Sequence, residues 1–431
     1  MALVSYSIEV FMVPDLAPSD DERAAAQGSA GAQGSAAAPE RAAAQGSAGA
    51  LPTHADVVII GAGVMGTSAA YFLASAGIRN IVVVDSGAVG QGSSAKPLGG
   101  IRATFSDSAN IELGKHSLDE YLRFEQDFGV DVGVDQVGYL FLVRNESDLQ
   151  ACENGVKLQN DLGAASRMVT TAEAAQICPF IDPASICAAS YSPEDGYAVP
   201  GRVVNAYADA ARALGVRIHP HCAVEAIDTT AGQVTAVHTA GGEIKTPVVV
   251  CAAGAWSEKI GAMAGVALPV TPVKRQIGFT PQRSTPFPRV PFTLDLASTL
   301  YFHNNRNGML FGMSDNRQPA GFDLEYSTEW LEPFRAVAAK CAPELADLEV
   351  VSGWAGLYEV TPDHNALIGR SDTVEGFIYA TGFSGHGFLQ APGVGELVRD
   401  LYLGRESFMD ASAFRADRFQ LQQLVHETHI I

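Results

Sequence analysis

Residues 55–66 read ADVVIIGAGVMG, and this stretch decides the fold. Val57, Val58, Ile59 and Ile60 make a continuous apolar run, the pattern of a parallel strand covered on both faces. Gly61, Gly63 and Gly66 follow at dinucleotide spacing. The first would permit a tight turn, the second a close approach of backbone to a pyrophosphate, and the third close packing of helix on strand. The pattern predicts a helix over 64–76, with Val64 and Met65 in its first turn and Gly77 as its stop. Its N-terminus would offer free N–H groups and the positive dipole end to a diphosphate. A second apolar strand over 81–84 runs into Asp85 and Ser86. A carboxylate at that point suits a ribose diol and repels a 2′-phosphate. The stretch therefore reads as an adenine-dinucleotide site.

The rest of the composition sets limits. A chain of 431 residues predicts two domains or one large interleaved unit. Its 28 basic and 48 acidic residues give a net charge of −20, which argues against nucleic-acid and anionic-membrane partners. No run of about 18 apolar residues occurs, so no transmembrane segment is expected. Six cysteines show neither C-x-x-C nor metal-type spacing, so reduced thiols, no metal site and a cytoplasmic location are expected. Residues 1–54 read as a disordered tail. ERAAAQGSAGA occurs at 22–32 and again at 40–50, without the large apolar side chains that could offset ordering entropy. The preceding MALVSYSIEVFMVPDL lacks the basic start and cleavage pattern of a signal peptide.

Beyond Asp85, GQGSSAKPLGGIRATF (90–105) is too rich in Gly, Ser and Pro for a regular element. It can lay its backbone along a ligand that extends past the diphosphate. A helix is expected over 106–127 and a strand over 139–143. The first style of organisation returns near Val199, with a helix over 202–214 and then a strand containing Val224 and Ile227. VVVCAAGAW (248–256) is an apolar strand ending in small residues. Residues 269–351 are proline-rich and extended, with a hairpin turning at 304–308. A strand over 377–380, a glycine-rich turn over 382–387 and a helix over 389–402 close the chain. Three strand ends, at 61–66, 252–254 and 380–387, thus finish in small residues. One nucleotide half needs only the first, whereas a cofactor threaded through the domain needs all three, which favours FAD over NAD.

With IIGAGVMG, GGIRATF, VVCAAGAW, GLYEVTPDHNALIG and ATGFSGHGF in view, the chain from about Asp56 onward resembles the D-amino-acid oxidase and sarcosine oxidase superfamily. It is most similar to the branch of sarcosine oxidases, dimethylglycine dehydrogenases and proline dehydrogenase β subunits. The resemblance implies an α/β chain with a glutathione-reductase-like, FAD-binding Rossmann domain interleaved with a sheet-based α+β substrate domain. Residues 55–105, 197–268 and 352–431 would form the first, and 106–196 and 269–351 the second. Gly61, Gly63 and Gly66 would hold the pyrophosphate and Asp85 the adenosine ribose. Ser93, Ser94, Gly99, Gly100 and Ile101 would run along the flavin, Val224 beside the adenine, and Ala253, Gly254 and Trp256 along the cofactor's middle. Gly382, Phe383, Gly385, His386, Gly387, Phe388 and Leu389 would meet the pyrimidine end of the ring, where a helix N-terminus stabilises negative charge.

Three departures from the family pattern bear on chemistry. Gly356 stands where monomeric sarcosine oxidases attach FAD through a cysteine, and Lys96 where dimethylglycine dehydrogenases use a histidine, so FAD is expected to be non-covalent. Leu389 stands where sarcosine oxidases have a lysine that helps hold the substrate carboxylate. The implied activity is oxidation of the C–N bond of a secondary or N-methylated amino acid, with O2 or another electron acceptor. Arg102 would anchor the carboxylate, Tyr358 would line the pocket and His386 would sit at the flavin turn. His303, Lys274 and Arg275 are further polar candidates. The alternative is a flavoprotein kept for assembly or interaction, because the GFSGHG end is shared with mitochondrial relatives of that kind. A homo-oligomer is compatible with either.

Overall fold

The computed structural model describes residues 50–96, 98–315, 317–421 and 424–427. The repeats at 22–32 and 40–50 lie outside these, save Ala50. Residues 51–54, expected to belong to the tail, instead pair and pack. The Lys245 N–H donates to the Thr53 carbonyl at 2.9 Å, and Leu51 packs on a core cluster.

The expected β–α–β unit is present: β1 (Val57–Ile60), α1 (Val64–Ser75) and β2 (Ile81–Val84). All four β1 residues are buried because alternate side chains enter different cores. Val57 and Ile59 join the cluster that includes α1, while Val58 and Ile60 face the opposite side of the sheet. β1 pairs in parallel with β2 and with Val249–Cys251, which pairs in turn with Phe377–Thr381. Leu367–Arg370 and Arg217–His219 complete the six strands at the two edges. The three glycine-ended strands are therefore adjacent in one sheet, and their carboxyl ends open onto one crevice.

Against the α1 face pack α2 (Ser108–Phe128) and, at the end of the chain, a helix over Gly387–Leu403. Asp107 caps α2 by accepting from the Asn110 N–H at 2.9 Å, and Gly129 ends it at φ 66°. The closing helix contains Pro392, which cannot donate to the Phe388 carbonyl one turn back. The Tyr121 hydroxyl of α2 donates to that carbonyl at 2.6 Å instead. The helix therefore keeps its expected course through the proline.

A second sheet has eight strands, ordered Ser352–Val360, Thr271–Phe279, Gly308–Gly312, Tyr301–Asn305, Phe292–Asp295, Tyr139–Val143, Ala188–Ser192 and Arg167–Val169. The hairpin expected at 304–308 is its third and fourth strands, turning at Arg306 (φ 54°). Two expectations change here. Residues 352–360, grouped by sequence with the nucleotide segments, form the edge strand of this sheet. The stretch read as merely extended after 269 contains the nine-residue strand β3 (Thr271–Phe279), paired along its whole length with β4 (Ser352–Val360). Pro272 near its start is tolerated because strand ends need not donate there. We call the closing helix, Gly387–Leu403, α3. Among the described residues no helix is long and apolar enough to cross a membrane.

Candidate active site

One cavity of about 570 Å³ runs from the crevice of the first sheet to the β3–β4 face of the second. Its first wall is the β1–α1 turn. Gly61 has φ 111°, and a Cβ there would lie 2.2 Å from the Ala252 carbonyl oxygen, so only glycine fits. Gly63, Val64 and Met65 line the cavity, whereas Gly66 does not: a Cβ at Gly66 would lie 1.8 Å from the Gly61 carbonyl, so it serves helix–strand packing. The Asp85 carboxylate accepts from the Ala62 N–H at 2.6 Å and the Gly87 N–H at 2.7 Å. It thus ties the end of β2 to the glycine turn while still lining the cavity beside Ser86 and Val224.

The second wall is the loop after β2. Ser94 Oγ accepts from the Val64 N–H at 2.9 Å, which puts this hydroxyl at the start of α1, and Ser93 Oγ donates to the Leu357 carbonyl at 2.7 Å. Both serines, Gly99 and Gly100 line the cavity. Ile101 is fully buried in the core beside α1 and lines nothing. Lys96 Nζ donates to the Ala355 carbonyl at 2.6 Å, and its Cβ would lie 3.4 Å from a Cβ at Gly356. Lys96 and Gly356 are thus neighbours on one stretch of wall.

At the far end Ala253, Gly254, Trp256, Phe383, Gly385, His386, Gly387, Phe388 and Leu389 line the cavity, and Gly382 does not. Gly385 (φ 103°) lies under the Tyr358 ring, which a Cβ would meet at 2.5 Å. His386 is the residue before α3 and meets Phe105 edge-on, with ring centres 5.3 Å apart. Neither α1 nor α3 has an acidic residue in its first turn. Two positive helix ends therefore open onto one apolar-walled space.

Arg102 lines the cavity and is 3% exposed. Its Nη1 donates to the Thr104 carbonyl, and its guanidinium lies 4.1 Å from the Phe105 ring centre. Asp195, which no local sequence signal marked, holds this loop: its carboxylate accepts from the Ala103 N–H at 3.0 Å and from Thr104 Oγ1 at 2.7 Å. Burial pushes the Asp195 carboxyl up to about 6. Tyr358 also faces the cavity, and desolvation raises its phenol against the opposing pull of Arg275 and then Arg102.

Of the further polar candidates only Arg275 reaches the cavity. Lys274 pairs with Asp323, and His303 is buried between Phe292 and Tyr197, where desolvation lowers it to about 4. Arg275 thus gives the cavity a second guanidinium beside Arg102. Tyr139, Phe292, Tyr301, Trp354 and Glu359 line the cavity without having been singled out from the sequence. Alternation along β4 would have found Trp354 with Gly356 and Tyr358 on one face. Glu359 accepts from Thr381 Oγ1 at 2.9 Å, and desolvation raises its carboxyl.

These parts suit FAD. A glycine cradle and the α1 N-terminus fit its diphosphate, a carboxylate lies beside them, and a second helix end opens onto the same cavity. The chain is 28% identical over 431 residues to FAD-dependent oxidoreductase domain-containing protein 1 of Xenopus laevis, covering 88% of this chain and 85% of that one. It is 26% identical to 4-methylaminobutanoate oxidase (formaldehyde-forming) of Paenarthrobacter nicotinovorans, covering 86% of this chain but 46% of that protein. L-proline dehydrogenase from P. horikoshii superposes with a TM-score of 0.81 at 30% identity, covering 87% of this chain and 100% of that one. Residues 56–401 match the FAD dependent oxidoreductase (DAO) family, so the chain belongs to that family and is an FAD-dependent oxidoreductase.

Proposed function

We propose that the protein oxidises the C–N bond of a secondary or N-methylated amino acid to an imine, which water then hydrolyses. The observation that carries this reading is Arg102, buried in the cavity that also contains the dinucleotide cradle. In this reading the α1 end, Asp85 and the 382–389 turn hold FAD, and the two sheets correspond to a nucleotide domain and a substrate domain. Bound FAD supplies the hydride acceptor. The chain's own residues supply the rest. Arg102 grips the substrate carboxylate through paired N–H donors and so fixes the α-carbon. Tyr358, Tyr139, Phe292 and Trp354 exclude water, which favours the neutral amine over its ammonium form. Sarcosine dehydrogenase of Mus musculus (28% identical) and dimethylglycine dehydrogenase of Rattus norvegicus (26% identical) make this substrate class the natural one to test.

The test is anaerobic bleaching of the flavin absorbance by sarcosine, N-methyl amino acids, both prolines and N-methyl amines without a carboxylate. At least one amino acid of the class should bleach the flavin, and carboxylate-free amines should do so far more slowly. Bleaching by no amine at all would remove this reading.

FAD is also expected to be held without a covalent bond. Cys222 and His386 are the only cysteine and histidine lining the cavity among the described residues, and Gly356 has no side chain to offer. Acid precipitation should leave the yellow chromophore in the supernatant. Colour that pellets with the protein would refute this.

A further inference from the structure

The cavity contains a second guanidinium that the reading above does not use. Arg275 stands on β3 directly opposite Gly356 of β4, which has no side chain to block it. Its guanidinium carbon lies 5.4 Å from the centre of the Tyr358 ring. Nη1 donates to the Lys274 carbonyl at 3.1 Å, while Nε is buried without a hydrogen-bond partner. Asp315, the carboxylate whose charge reaches Arg275, pairs with Arg317. Arg275 is half-buried, and a guanidinium with its Nε shut away from solvent and unpartnered stays charged and gains from an anion. The site therefore favours an occupant that brings a negative group to Arg275.

We propose that the substrate is a secondary amine carrying two carboxylates, one held by Arg102 and the other by Arg275. The proposal rests on the amine-oxidation reading for its chemistry and on Arg275 for its selectivity. In an iminodiacid, an α C–H bond breaks and its electron pair leaves as hydride to FAD. The amine proton goes to solvent and a C=N bond forms. Water adds across it, the C–N bond breaks, and an amino acid and a 2-oxo acid are released. A monocarboxylate would leave the Nε of Arg275 without a partner, which is the arrangement by which polar sites reject substrates lacking a group.

The test uses FAD-loaded protein and two ligands that cannot be oxidised as amines, read by perturbation of the flavin spectrum. Thiodiacetate carries two carboxylates about a sulfur, and (methylthio)acetate carries one. Wild type should bind thiodiacetate at least about tenfold more tightly, the effect of one charge-assisted contact. Arg275→Gln should reduce that preference to about threefold or less, and Arg275→Lys should retain part of it. Equal affinity of wild type for the two ligands overturns the proposal, as does an undiminished preference in Arg275→Gln. Loss of FAD from both variants overturns it too, because Arg275 would then be serving the cofactor. If Arg275→Gln fails to fold, the wild-type ratio and Arg275→Lys still decide.

Anaerobic bleaching separates this proposal from the broader reading. Sarcosine or proline reducing the flavin without any preference for thiodiacetate sinks the two-carboxylate proposal alone. An Arg275-dependent preference without bleaching by any amine, iminodiacetate included, sinks amine oxidation and leaves the two-carboxylate site standing.

Discussion

Gly61→Ala is expected to cost both the fold and the cofactor, whereas Gly63→Ala costs mainly the cofactor. Gly61 has φ 111°, and its added Cβ would lie 2.2 Å from a backbone oxygen, that of Ala252 on the neighbouring strand end. Neither the dihedral nor the backbone can yield cheaply, so a loss of about 2–4 kcal/mol is expected. The displaced strand ends are the ones that form the crevice. Gly63 differs on both counts. Its φ of −75° and ψ of −174° suit any residue, and its added Cβ would lie 3.0 Å from Ser94 Oγ, a side chain that can rotate away. The new methyl then occupies the space in front of the α1 N-terminus, where a diphosphate needs to approach the backbone. Apo Gly63→Ala should melt within about 2 °C of wild-type apoprotein while binding FAD at least about 100-fold more weakly, roughly 3 kcal/mol. Scanning calorimetry of the apoproteins and FAD titration check the two parts separately. Wild-type FAD affinity in Gly63→Ala would move the diphosphate away from α1.

The contrast between these glycines also explains what could be read from the sequence. β1, α1 and β2 were legible because their signals are local: an apolar run, glycines at fixed offsets and an acid at the next strand end. The same holds for the small-residue ends at 252–254 and 382–387, whose neighbours in the sheet follow from parallel pairing. What stayed hidden was assembled at long range. Arg275 acquires its place only because β3 pairs with β4 and sets it against Gly356. β3 itself was concealed by prolines at 269 and 272 and by the proline-rich stretch after it. Asp195 reaches the loop of Arg102 through the side chain of Thr104 and the N–H of Ala103, contacts that no spacing rule foretells. Pro392 is the converse case. Its local signal says that a helix should break, and a tyrosine hydroxyl on another helix overrides it. Ile101 and Gly382 were assigned to the flavin by likeness, yet both sit just behind the wall, supporting residues that do face the cavity.

Arg102→Met is expected to lower kcat/KM for amino-acid substrates by about 30- to 1000-fold, corresponding to roughly 2–4 kcal/mol for a charge-assisted contact in a dry pocket. The methionine retains the apolar stem that packs against Phe105, so the loss reports the guanidinium rather than the packing. Arg102→Lys keeps the charge but not the planar fork, and should fall between the two. Amines without a carboxylate should lose little, since they never engaged the fork. A second cation does not remove the effect. Arg275 lies on β3, and a group drawn to it would leave the α-carbon anchored from a different direction. The competing role for Arg102 is structural: Nη1 binds the Thr104 carbonyl, and the same loop, pinned by Asp195, carries Gly99 and Gly100 in the cavity wall. That role would act on every substrate alike. Rates must therefore be compared at equal FAD occupancy, with one carboxylated and one uncarboxylated amine measured on each variant. An equal fall for both would show that Arg102 organises the flavin loop, and the carboxylate would then have to be held by Arg275 alone.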